Sequence, residues 1–243
     1  MKNSNMYPLS IKQWNPFVGC LWCCLYCILS FQHQLKRWAK GKCSECYRFK
    51  PHCHDSRLNQ PLPQTGFMQF IFVCASADIS FCPDDKLLKI VDRMRSEPNK
   101  TFLLQSKHPK TFNRVRFPKN VILGTTLETN RDNDYDAVSK APKPSKRYDD
   151  FVQVVHPTKM VTIEPVMDFD MDTMLEWIEH INPCMVWLGY DSRKTRLPEP
   201  SLDKVRQLYW ELGIRGFTVM LKTIRKAWWE QAGSPAPRQD GQI

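Results

Sequence analysis

The chain has 243 residues, 42% of them hydrophobic, and a formal charge of +10. That length and apolar content suffice for one sizeable core, which excludes a natively unfolded chain. No run approaches the eighteen or so apolar residues of a membrane span. Ten cysteines with no N-terminal apolar segment argue against a secreted disulfide framework and for a reducing, cytoplasmic setting. The excess of cations favours a polyanionic partner such as nucleic acid, although a well-solvated basic surface satisfies the same count.

Residues 1–9 are polar and expected to be loose, and residues 10–13 read as a first strand. It leads into QWNPFVGCLWCCLYCI, residues 13–28, where Pro16 and Gly19 stop regular structure ahead of Cys20. Choosing Cys20, Cys24 and Cys27 gives the spacing C-x3-C-x2-C. Three thiolates on one short loop suit three corners of a [4Fe–4S] cubane, because sulfur is a soft ligand, and they leave the fourth iron open. An open position serves chemistry, whereas a closed site is structural or passes electrons. Cys23 keeps an alternative alive, since Cys20–Cys23 and Cys24–Cys27 are both C-x2-C steps and four thiolates would close the site. Structural zinc is a further alternative, but it usually takes two well-separated ligand pairs. Trp14, Asn15 and Trp22 flank the loop and are expected to shield it.

From residue 30 to 66 the composition changes. Lys36, Arg37, Lys40, Lys42, Arg48, Lys50 and Arg57 oppose only Glu45 and Asp55, and Pro61, Pro63 and Gly66 punctuate the end. This segment reads as a basic, Cys/His-rich insertion in the main fold. Trp38, Tyr47 and Phe49 are interleaved with the cations, a pattern suited to gripping phosphates and stacking on bases. The insertion also carries Cys43, Cys46, His52, Cys53 and His54. Of these, Cys43, Cys46, Cys53 and His54 are the candidate ligands of a zinc ion or an auxiliary iron–sulfur cluster, and a metal-free reading stays open.

Beyond Gly66, apolar strands alternate with amphipathic helices. The strand candidates are residues 68–74, 102–105, 121–125, 160–163, 185–188 and 217–221. Helical stripes run through Leu87, Ile90, Val91 and Met94 after a cap at Asp84, and through Tyr148, Phe151, Val152 and Val155. Two more pass through Met174, Leu175 and Ile178, and from Ser201 through Val205, Leu208, Tyr209 and Leu212 to a left-handed cap at Gly213. Residues 132–146 read as an exposed connection and residues 233–243 as a disordered tail. Such alternation implies one α/β domain spanning residues 1–243, a partial or near-complete TIM-like (β/α) barrel of about six or seven parallel strands.

The loop CLWCCLYC, with Tyr26 before its last cysteine, resembles the signature of the radical S-adenosylmethionine superfamily. The order of WNPFVGC, FVCASADI, LLQSKHP, VILGTTLE and VTIEPV is similar to an often phage-associated family carrying that motif. The resemblance implies an enzyme whose [4Fe–4S] cluster reductively cleaves S-adenosylmethionine to methionine and a 5′-deoxyadenosyl radical. It also implies an external flavodoxin- or ferredoxin-like electron donor, and the basic insertion points to modification or repair of a nucleic acid or nucleotide. The rival readings are a non-enzymatic metal-binding nucleic-acid-binding protein and a closed-cluster electron-transfer protein.

Barrel chemistry sits at the C-terminal strand ends, so the residues there are the candidates. Ser76 and Asp78 resemble the superfamily's turn for the cofactor's amino group, although Asp78 is equally a turn or helix cap. Thr126 and Glu128 are placed for ribose hydroxyls, and Tyr190 either borders adenine or packs in the core. Glu164 needs a partner such as Lys107, Lys222 or a substrate group, and both lysines are candidates for holding substrate.

Overall fold

The fold was read from a computed structural model that describes residues 7–193 and 195–231. The expected tail therefore lies outside the described residues, as do residues 1–6. The strands in chain order are β1 (Ser10–Trp14), β2 (Phe17–Val18), β3 (His52–Cys53), β4 (Phe70–Val73) and β5 (Phe102–Gln105). They continue with β6 (Val121–Thr126), β7 (Lys159–Ile163), β8 (Met185–Leu188) and β9 (Val219–Leu221). Seven of them form one all-parallel sheet in the order β1-β4-β5-β6-β7-β8-β9, while β2 and β3 pair antiparallel as a separate ribbon. β9 does not return to β1, so the sheet curls into a half-barrel. All seven expected strands are present. No helix among the described residues is long and apolar enough to cross a membrane.

Strand alternation divides the core in two. Ile71, Val73, Leu104, Leu123, Val161, Ile163, Val186 and Leu188 point outward, into one core shared with the helices. The helices are short α1 (Leu25–Cys27), α2 (His33–Ala39), α3 (Ser44–Arg48), α4 (Asp84–Arg95), α5 (Pro144–Val152), α6 (Met171–Ile181), α7 (Leu202–Ile214) and α8 (Trp228–Gln231), of which α4 to α8 pack on that core. Phe70, Leu103, Met160, Met185 and Trp187 point inward and form a second cluster with Tyr7. Toward the C-terminal strand ends the inner face turns polar at Gln105, Thr162, Glu164 and Lys222. The Tyr7 hydroxyl bonds Gln105 Oε1 and Thr162 Oγ1, each at 3.0 Å, which joins the apolar floor to that polar mouth.

Four local expectations are corrected. Pro83, not Asp84, caps α4, and Asp84 lies in its first turn. α5 ends at Val152, so Val155 leaves the helical stripe and is fully exposed, while the buried face carries Pro144, Arg147, Asp150 and Phe151. α7 runs past Gly213, and the positive φ of +85° falls at Gly216. The segment 132–146 is not an exposed connection, because Tyr135, Val138, Ser139 and Ala141 are buried. It clamps the cysteine loop through Leu25 N to Val138 O at 2.9 Å and Lys140 N to Trp22 O at 2.8 Å.

The insertion is anchored by backbone contact. Gly19 has φ +103°, and a Cβ there would stand 2.2 Å from the Lys50 carbonyl oxygen, so only glycine allows the two segments to touch. Trp14, fully buried, donates its Nε1 to Arg57 O at 2.8 Å and ties the insertion to β1.

Candidate metal centre and cofactor pocket

The cysteine loop leaves β1, passes through β2, and turns into α1 at the C-terminal mouth of the sheet. Cys20, Cys24 and Cys27 line one cavity of about 220 Å³ there, together with Ser76, Ala77 and Asp78 after β4, Ser106 and Lys107 after β5, and Thr126 at the end of β6. Trp22, Tyr26, Phe31, Phe49 and Phe72 supply its aromatic walls. Cys23 does not line the cavity. It is exposed, and its φ of +51° turns its side chain out of the series. A π-helical stretch, Ile28–Gln32, follows Cys27 and continues into α2, a distortion often found at functional sites. Burial pushes the Cys27 thiol up to about 12, reinforced by Cys24, and burial with the charge of Asp78 raises Cys20 as well.

Asp78 is buried and its carboxylate accepts four hydrogen bonds. Oδ1 takes them from Ser106 Oγ (2.6 Å) and Ser80 N (3.0 Å), and Oδ2 from Trp22 Nε1 and Lys107 N (both 2.8 Å). A carboxylate offers about four acceptor positions, so protein donors already occupy them. Asp78 therefore braces the cysteine loop, β4 and β5 against one another. Ser76 lies beside it, with its N–H donated to Asn15 Oδ1 at 3.0 Å.

Glu128 is fully buried and sits in a charged network that links the sheet to the cysteine loop. Its Oε2 pairs with Arg147 at 2.7 Å, and its Oε1 accepts from Lys107 Nζ, from the Tyr26 hydroxyl, and from the Tyr135 hydroxyl at 3.1 Å. Burial alone would raise the Glu128 carboxyl, but the charges of Arg147 and Lys107 outweigh it and hold the group at about 2. Burial would lower Lys107, yet Cys24 and Glu128 raise it, so the lysine stays charged. Its Nζ lies 3.6 Å from Cys24 Sγ and 4.5 Å from the centre of the Tyr26 ring. On its other side Cys24 Sγ meets Ser139 Oγ at 3.1 Å.

Not every candidate residue comes to the cavity. Ser76, Asp78, Thr126 and Lys107 line it, and Glu128 stands behind Lys107. Glu164 and Lys222 pair with each other at 2.5 Å in the half-barrel mouth, where burial raises the Glu164 carboxyl and Lys222 opposes that shift. Tyr190 is fully buried in the outer core, with its hydroxyl on Pro200 O at 3.1 Å. The sequence reading missed Arg147. Its signal was the spacing 144, 147 and 151, which places the arginine on the buried face of α5.

In the insertion, Cys43, Cys46, His52 and His54 bring four ligand atoms within 4.8 Å of one another. Cys53 is not among them, which corrects the expected set. β3 alternates, so His52 and His54 point one way and Cys53 the other, into the outer core. Phe49 is buried in the cavity wall and is unavailable for stacking on a partner, whereas Trp38 and Tyr47 remain exposed among the cations.

The same half-barrel occurs in SuiB of Streptococcus suis. Its structure bound to S-adenosylmethionine matches with a TM-score of 0.50 at 10% identity, covering 89% of this chain and 50% of that one. The structure bound to the precursor peptide SuiA gives 0.53 and SuiB alone gives 0.51, again at 10% identity. The chain thus spans about half the length of these proteins, and at this identity the likeness is one of fold. No curated protein matches the sequence. A family model matches residues 9–181, the stretch that holds the cysteine loop, the insertion and the strands β1 to β7, and the chain belongs to that family, the proteins of unknown function termed DUF5131.

Proposed function

We propose that this protein is a radical S-adenosylmethionine enzyme acting on a nucleic acid or nucleotide. The observation that carries the reading is the convergence of Cys20, Cys24 and Cys27, without Cys23, on one cavity at the C-terminal mouth of a parallel half-barrel. Three sulfurs facing a cavity suit a [4Fe–4S] cubane with one open iron, because sulfur is a soft ligand. When bound, that cluster supplies the electron that cleaves S-adenosylmethionine to methionine and a 5′-deoxyadenosyl radical. The fold neighbour SuiB, solved with S-adenosylmethionine bound, supports the choice of cofactor.

The remaining work belongs to this chain. Trp22, Phe31, Phe49 and Phe72 give the cavity apolar walls, while Lys107 places a positive charge beside the Cys24 sulfur. Ser76 and Thr126 offer hydroxyls to the cofactor's polar groups. Glu164 and Lys222, at the polar mouth, are positioned to meet substrate, and breaking their pair exposes one acceptor and one donor to it. The nucleic-acid class rests on the insertion, whose Lys36, Arg37, Lys40, Lys42, Arg48 and Lys50 are exposed around Trp38 and Tyr47.

Anaerobically reconstituted protein given dithionite and S-adenosylmethionine should release 5′-deoxyadenosine, and Cys24→Ala should abolish release. A full cluster without that product would reject the enzyme reading. Binding to single-stranded RNA or DNA should weaken steeply with added salt. Salt-independent binding, or binding to a peptide instead, would overturn the substrate class.

A further inference from the structure

We propose that Cys43, Cys46, His52 and His54 hold a single structural zinc ion, which staples α3 to the β3 segment within the insertion, behind the cysteine loop. The geometry is that of one ion. Cys46 Sγ lies 3.3 Å from His52 Nε2 and 3.2 Å from His54 Nε2, Cys43 Sγ lies 3.5 Å from His52 Nε2, and the two imidazole nitrogens are 2.8 Å apart. Tetrahedral zinc with Zn–S of about 2.3 Å and Zn–N of about 2.0–2.1 Å sets S···N near 3.5 Å and N···N near 3.3 Å. The observed separations fall within about half an ångström of those values, a closing distance that side-chain rotation covers. A two-iron cluster with cysteines on one iron and histidines on the other would hold each sulfur a cluster's width from both imidazoles. Cys46 touches both, so that alternative does not fit.

The surroundings are prepared for a metal. His52 Nδ1 lies 2.7 Å from Lys50 O, which fixes the ring so that Nε2 faces the site. Cys43 occupies the N-cap of α3, where its sulfur accepts the Cys46 N–H at 3.3 Å, and Phe49 closes the turn in the left-handed region at φ +55°. The apolar cluster around the site is small, with Val18, Ala39 and Cys46 as its buried members, so a cross-link between α3 and the β3 segment would add to the stability of this unit. The zinc unit in turn shapes the cavity, because the Phe49 ring walls it and the Phe49 carbonyl accepts the Cys20 N–H at 3.3 Å.

The test needs no radical chemistry. The triple variant Cys20→Ala, Cys24→Ala, Cys27→Ala, purified from zinc-supplemented medium, should contain about one zinc per chain by mass spectrometry and no sulfide. Cys46→Ser in that background should lose the zinc, whereas Cys53→Ser should keep it. If Cys46→Ser fails to fold, the triple variant exchanged with cobalt should show the ligand-field spectrum of a tetrahedral S2N2 site. Zinc well below stoichiometry, iron with sulfide in the triple variant, retention after Cys46→Ser, loss after Cys53→Ser, or an octahedral cobalt spectrum would each overturn the proposal. None of these results depends on whether the three loop cysteines hold a cluster.

Discussion

Arg147→Met tests the charged network behind the pocket. Arg147 and Glu128 are both wholly buried and meet at 2.7 Å, so removing the guanidinium leaves a carboxylate in a low-dielectric interior. Breaking such a pair costs about 3–5 kcal/mol. Lys107 remains on the same carboxylate, and Arg147 leaves its Nε and second terminal nitrogen without partners among the described residues, so the lower end applies, about 3 kcal/mol. For a domain of this size that is a fall in Tm of about 6–12 °C, measurable by differential scanning fluorimetry. The exposed pair Arg206–Asp203, at 62% and 88% side-chain exposure, is the control, and Arg206→Met should not move Tm beyond experimental scatter. The variant should also hold less iron after reconstitution, since Glu128 anchors Tyr26 in the cysteine loop. A Tm change in Arg147→Met no larger than the Arg206 control would refute the reasoning.

Glu128 also sets an acid limit. Its folded value of about 2 lies below the ordinary carboxylate value of about 4.3, so its contribution is complete above pH ~4.3 and is lost as pH falls through ~2. About 3 kcal/mol of stability should disappear across that window, and Glu128→Gln should flatten it; parallel pH profiles of the two proteins would disprove the assignment. Gly19→Ala combines a φ of +103° with a Cβ 2.2 Å from Lys50 O, so it should cost more than about 1 kcal/mol and reduce iron loading. Wild-type melting and loading in that variant would show that the close approach is not required. Lys107→Met removes the cation 3.6 Å from Cys24 Sγ and should make the midpoint potential of the proposed cluster more negative, read by potentiometric titration. An unchanged or more positive potential would contradict the role assigned to Lys107. Trp22→Phe removes one of the four donors to Asp78 and should cost about 1–3 kcal/mol in thermal or chemical unfolding; no measurable change would mean that Asp78 does not depend on its full donor set.

The parallel half-barrel was legible because its strands are near-continuous apolar runs such as FIFV and MVWL. Such runs satisfy a sheet buried on both faces whatever else the chain does. The cysteine spacing was legible for a similar reason, as ligands on one short loop are neighbours before any folding occurs. Less local features escaped. Arg147 was hidden because a charged residue on an apolar helical stripe carries no sign of the carboxylate it will meet, and Glu128 lies nineteen positions away. Segment 132–146 looked solvated by composition, yet its few apolar residues fold back on Tyr26 and Met167.

By itself, then, the sequence determined the repeating α/β architecture, the three-sulfur loop and the presence of a second ligand group. Tertiary structure alone decided that Cys23 stays outside the cavity, that His52 rather than Cys53 joins the second group, and that Glu128 and Asp78 are held by protein donors. Spacing along the chain controls which side chains can be near one another locally. Which way each one points, and which distant charge it meets, is settled only when strand register and packing fix the backbone in space.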